Sequence, residues 1–141
     1  MFGTNRTGVS AYANVGIETG VAAADPHKLI VMLFDGACVA IRSAIVQMQA
    51  GDIAAKGAAI SKAITIIENG LRASLDQKAG GDIAASLEAL YEYMGGRLLQ
   101  ANLQNDVGML EEVHRLLSDL RGAWNAIRQP APQDAAQPKV A

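Results

Sequence analysis

This sequence is short of reactive chemistry. A single cysteine, Cys38, occurs in 141 residues, so no disulfide can close within the chain. It lies in an apolar stretch with no adjoining basic residue to hold a thiolate, and it reads as a small buried hydrophobe. Aromatic residues make up 4% of the chain, which leaves Ala, Ile, Leu and Met to build a core and favours packed helices over a β-sandwich. Lys and Arg never gather in a run of five, and a net charge of −2 with a pI of about 5.6 supplies no positive field for phosphates. Nucleic acid is therefore not an expected partner. Asp35 and Arg42 interrupt the most hydrophobic segment, so no uncharged apolar window of about 18 residues exists. Behind Arg6, residues Tyr12, Asn14 and Glu18 break any leader-like run. With neither membrane insertion nor secretion indicated, the expected location is the cytoplasm.

What is present is apolar surface at helical spacing. Half of the residues are hydrophobic and 18% are charged, enough for one domain with a real core. Asp25 can cap a helix and Pro26 suits its first position. From there Ile30, Phe34, Ala37, Ile41, Ala44 and Met48 form one stripe, while Lys28, Asp35, Arg42 and Gln49 recur every seven residues as a polar, water-facing seam. Leu29, Val31, Met32, Leu33, Cys38, Val39 and Val46 widen the apolar surface, so this helix should have more than one neighbour.

Gly51 stops the first helix and Asp52 caps a second, with Ile53, Ile60, Ile64, Ile67, Leu71 and Leu75 on one side and a Glu68–Arg72 pair on the other. Gln77 to Gly81 reads as a tight reversal. A third helix begins near Asp82 and carries Ile83, Leu87, Leu90, Met94, Leu98 and Ala101. After a turn over Asn102 to Asp106, a fourth shows Leu110, Val113, Leu117, Leu120, Trp124 and Ile127. Short links make neighbours antiparallel, and the expected fold is an all-α, up-down four-helix bundle over 25–128. Residues 1–24 read as a mobile N-terminal arm. Residues 129–141, with Pro130, Pro132 and Pro138, read as a disordered tail.

Candidate chemistry is sparse. Glu111 and His114 form one Glu-x-x-His, but a di-iron bundle needs two such pairs and further carboxylates. His27 has Ala24 at the matching position. A solvent-facing Glu111–Arg115 pair is the plainer expectation, and neither a metal nor another cofactor is indicated. No nucleophile motif stands out, and Gly80-Gly81 and Gly95-Gly96 lack the strand that a phosphate loop follows. A metal-dependent helical-bundle enzyme and a permanent helical adaptor remain as alternatives to a non-enzymatic binding role.

Two excesses need an account. Gly36, Gly57, Gly70, Gly95, Gly96, Gly108 and Gly122 fall inside helical patterns, where each costs about 1 kcal/mol relative to Ala. They either let helices approach closely or flatten a groove for another chain's helix. Ile66, Leu99, Leu103, Met109 and Leu116 lie off the core stripes, and if exposed together they would mark a partner surface.

Read in order, Ala11-Tyr12, Asp25-Pro26-His27-Lys28-Leu29-Ile30 running into Met32-Leu33-Phe34-Asp35-Gly36-Ala37, Gly51-Asp52, Ser61-Lys62-Ala63-Ile64-Thr65-Ile66-Ile67, Ser74-Leu75-Asp76, Gly80-Gly81-Asp82-Ile83-Ala84, Leu90-Tyr91-Glu92-Tyr93-Met94, Arg97-Leu98-Leu99-Gln100-Ala101-Asn102 and Ala123-Trp124 resemble the flagellar secretion chaperone FliS family over about residues 11–127. Asp25 replaces a usual Ser, Phe34 a common Tyr and Glu92 a common Asp. The resemblance implies a cytoplasmic chaperone, without cofactor or catalysis, that binds the C-terminal segment of flagellin, prevents premature polymerisation and delivers the subunit to the flagellar type III export apparatus. It also implies that the arm caps part of the client groove, with Tyr12 and Ile17 as the covering residues. Ile53, Ile60, Ile64, Ile66, Tyr91, Met94, Leu98 and Leu99 are the candidate groove lining. Whether the free chain pairs as a homodimer through that surface is left open.

Overall fold

The start of the first helix follows from two side chains. In the computed structural model, which describes residues 25–127, Asp25 accepts the Lys28 N–H at 2.9 Å and Pro26 opens α1 (Pro26–Ala50). Gly51 ends it in the left-handed region at φ 79°, where a side chain would be strained. Asp52 then accepts the Ala55 N–H and caps α2 (Ile53–Thr65). The expected arm 1–24, with Tyr12 and Ile17, and the expected tail 129–141 lie outside the described residues.

The second helical segment is less regular than its stripe suggests. After Thr65 the chain loosens into a π-helical stretch, Ile66–Leu71, then tightens into a 3₁₀ turn, Arg72–Ser74. Within it Gly70 lies against α1, where an added Cβ would stand 3.0 Å from buried Leu33, so this close approach requires glycine.

The reversal begins at Leu75 and ends at Gly81, beside the expected start of the third helix near Asp82. The chain extends at Leu75, Asp76 caps the next turn, and α3 runs over Gln77–Gln104. Its first turn is set off by Gly81 at φ 52°, ψ −127°, a conformation outside the helix that glycine adopts without strain. Asn105 turns left-handed, Asp106 caps with its carboxylate on Met109 N–H, and α4 occupies Val107–Ala126.

The four helices close into a ring in which α1 packs on α2 and α4, and α3 packs on the same two from the other side. Phe34, Ala37, Ile41 and Ala44 of α1, Ile60, Ala63 and Ile67, Met94 and Leu98 of α3, and Leu110, Val113 and Leu117 of α4 share one core. This is the expected bundle, and α1 has the several neighbours its wide apolar surface required. By length and mean hydropathy α1 is also apolar enough to cross a bilayer despite Asp35 and Arg42. Here its most buried face forms the bundle core instead.

Polar contacts set the register of α1 against α4. His27 and Trp124 stack with centroids 5.0 Å apart, His27 Nε2 donates to the Trp124 carbonyl at 2.7 Å, and Trp124 Nε1 donates to the His27 carbonyl at 3.0 Å. Further along, Arg121 meets Asp35 at 2.7 Å, and Arg42 Nε donates to His114 Nε2 at 3.4 Å. The heptad of polar residues on α1 is thus solvent-accessible, and two of its members also bridge to α4. Cys38, half-buried beside Ser118, has its thiol pushed up chiefly by burial, which disfavours a thiolate.

His114 gives this seam a pH dependence. Burial first, and the Arg42 charge second, hold its pKa below the usual histidine value. Between about 6.5, the value in an unfolded chain, and the lower folded value, the unfolded state binds more protons. Stability therefore falls as pH drops through that window and levels off below it. Urea midpoints at about pH 7.5 and about pH 5.5 are expected to differ less in His114→Gln than in the parent chain.

Candidate functional site

The sequence-derived lining residues divide sharply by depth. Ile60, Ile66, Tyr91, Met94 and Leu98 are buried. They support the surface from beneath and do not line it, because each sits on the inward arc of its helix. Burial also pushes the Tyr91 phenol up to about 12. Ile53 and Leu99, by contrast, are 69% and 56% exposed, and Ile64 is half-buried against the core.

The exposed members lie together along the α2/α3 junction. On α2, Ile53, Gly57 and Ile64 share one edge at spacings of four and seven. On α3, Gly96, Leu99 and Leu103 share another, with Leu103 83% exposed. Lys56 fixes the two helices in register. Its ammonium donates to the Asn102 carbonyl at 3.0 Å and to Asn105 Oδ1 at 2.6 Å, and the residue is only 4% exposed. At the other end Arg72 is held by Glu68 at 3.0 Å and Glu88 at 3.2 Å. Polar clamps at both ends of the junction therefore bracket an exposed apolar edge.

A second apolar feature runs along the opposite side of α2. Val39, Ala40 and Ser43 of α1 and Ala55, Ala58, Ala59 and Lys62 of α2 line an open trough of about 400 Å³. Val39 and Val46, one heptad apart on α1, are 67% and 59% exposed. Sequence reasoning saw that these valines widened the apolar surface but did not place them in a site. The signal was available, since they alternate with Asp35 and Arg42 on the outward arc of α1.

The glycines split the same way. Gly36, Gly70 and Gly95 approach Ile66, Leu33 and Glu68 of neighbouring segments, whereas a Cβ on Gly57, Gly96 or Gly122 would meet nothing within 4 Å. Of the off-stripe hydrophobes, Ile66 is core, Met109 and Leu116 are partly buried against it, and Leu99 and Leu103 are exposed. Two of the open glycines, Gly57 and Gly96, thus lie beside exposed hydrophobes.

The Glu-x-x-His on α4 forms no cluster. Glu111 is exposed and makes no ion pair with Arg115. Its neighbour Glu112 accepts instead from Arg97 at 2.8 Å and from the Tyr93 hydroxyl at 2.6 Å. The Tyr93 hydrogen bond first, then Arg97, keeps the Glu112 carboxyl below its usual range. Among the described residues, no group of three or more His, Cys, Asp and Glu side chains is placed to hold a metal ion.

A helical bundle with a filled core, polar clamps at its seams and apolar strips on both sides of one helix has the kind of surface that marks partner sites. The comparisons make this specific. The family model for the flagellar protein FliS matches residues 8–131. A flagellar secretion chaperone FliS of Salmonella typhimurium is 54% identical over 125 residues, spanning 89% of this chain and 93% of its own length. Those of Escherichia coli and Bacillus subtilis are 48% and 36% identical, each over 83% of this chain and 86% of the relative. The chain belongs to the FliS family, and flagellar secretion chaperone is its functional class.

Proposed function

We propose that this chain is a non-enzymatic, cytoplasmic chaperone that holds the C-terminal segment of flagellin, keeps it from polymerising and delivers it to the flagellar export apparatus. The observation that carries this reading is the pair of apolar strips flanking α2, built from Val39 and the α1/α2 trough on one side and from Ile53, Leu99 and Leu103 on the other. A client segment that lacks its own partners can bury amphipathic helices in such strips, so that folding and binding are coupled. Covering one exposed valine or leucine contributes roughly 1.5–3 kcal/mol before ordering costs. Nothing in such a process requires bond cleavage or a bound cofactor.

The test is to mix the purified full chain with flagellin monomer and with flagellin lacking its C-terminal segment. A soluble one-to-one complex is expected only with intact flagellin, and Val39→Arg is expected to weaken it at unchanged thermal stability. Equal binding of truncated flagellin would overturn the reading. Tyr12 and Ile17 enter this proposal as the cap over the client surface. Tyr12→Ala is then expected to bind the client more tightly, and loss of folding in that variant would argue against it.

A further inference from the structure

The α1/α2 trough is apolar except for Ser43 and one cation on its rim. From Gly36 to Ile67, the stretch that supplies both walls, Asp52 is the sole acidic residue, against Arg42, Lys56 and Lys62. The remainder of a chain with net charge −2 is therefore acidic. Three of the four charges in this stretch are already engaged. Asp52 caps α2, Lys56 is buried on Asn102 and Asn105, and Arg42 donates to His114 of α4. Lys62 differs from all of them. It is exposed, it lines the trough beside Ala58 and Ala59, and it makes no hydrogen bond or ion pair among the described residues.

A lysine in this position serves two surfaces at once. Its four-carbon stem extends the apolar wall, and its ammonium stays at the wet mouth. Resting on the function proposed above, we infer that Lys62 is a specificity-determining residue: it pairs with a carboxylate on a client helix whose aliphatic ridge fills the trough. An anionic side chain one turn from that ridge would meet the Lys62 ammonium. A basic side chain at that point would face repulsion, because Asp35, the acid one turn from Val39, is already held by Arg121. The charge-poor walls leave the apolar contact to supply affinity and Lys62 to select register and partner.

Binding of the flagellin C-terminal segment to the full chain, measured by calorimetry at low and high salt, tests this. Lys62→Gln is expected to weaken binding roughly two- to fivefold and Lys62→Glu roughly five- to tenfold, with smaller loss on adding salt than in the parent. Changing each Asp and Glu of the segment to Lys in turn should reveal one position that restores binding to Lys62→Glu. Parent-like binding and salt dependence in both variants would overturn the inference, and if Val39→Arg still weakened binding the chaperone reading would stand. Failure of the parent chain to bind the segment would remove both. Because Lys62 is exposed and unpaired, both variants should fold, which their melting curves would verify.

Discussion

Leu98→Ala is expected to lower the unfolding free energy by about 2–5 kcal/mol, while its neighbour Leu99→Gln leaves it within about 0.5 kcal/mol. The two positions are adjacent in sequence and opposite in consequence. Leu98 is fully buried among the shared core side chains of all four helices, so truncation removes both transfer energy and packing and leaves a cavity the bundle can only partly close. Leu99 is 56% exposed, and glutamine is a good helix former, so little is lost in the free protein. The order reverses for client binding. Leu99→Gln together with Leu103→Gln is expected to weaken flagellin binding by tenfold or more, the scale set by losing two buried apolar contacts. Urea denaturation and calorimetric titration of the same proteins would separate the effects. A stable Leu98→Ala, or a Leu99→Gln/Leu103→Gln pair that binds like the parent, would contradict the division between core and surface drawn here.

Lys56→Met should cost about 1–3 kcal/mol. Methionine keeps most of the lysine stem's apolar packing but supplies no donor, leaving the Asn102 carbonyl and Asn105 Oδ1 without the ammonium that now joins them at 3.0 and 2.6 Å. Asn105 is exposed and can turn to water, whereas Asn102 is half-buried, so the loss should fall mainly on the end of α3. An opposing effect exists, because a buried ammonium is itself costly to dehydrate. Here the cation also meets the negative end of the α3 dipole, which favours keeping it. A fall in urea midpoint, with faster amide exchange near Asn102 than at Leu117, is the expected result. A rise in midpoint would mean that dehydration outweighs the two hydrogen bonds.

Much of the architecture was legible because the relevant physics is local. Asp25 and Asp52 cap helices with their own carboxylates, and Gly51 supplies a left-handed stop. The stripes of α1 and α4 gave their inward faces because a 3.6-residue period is visible without coordinates. The second segment was legible only in part. Its stripe holds at Ile60, Ile67 and Leu71, but Ile53 is exposed, and the π-helical widening at Ile66–Leu71 has no counterpart in the spacing of the stripe.

The site was read with less success for a related reason. Ile60, Met94 and Leu98 resemble Ile53, Leu99 and Leu103 in composition and differ only in which arc of the helix faces the core. Lys62 likewise reads as an ordinary solvated lysine until its neighbours are known.

The order of residues alone thus determined an all-helical chain, the positions of its caps and stops, and membership of a family through a long succession of short motifs. Only the tertiary structure decided which apolar side chains remain uncovered, where Lys56 is buried and which wall Lys62 overlooks. Capping and periodicity depend on residues within a turn or two of one another, whereas exposure depends on how four separate helices rotate about their axes to share a core.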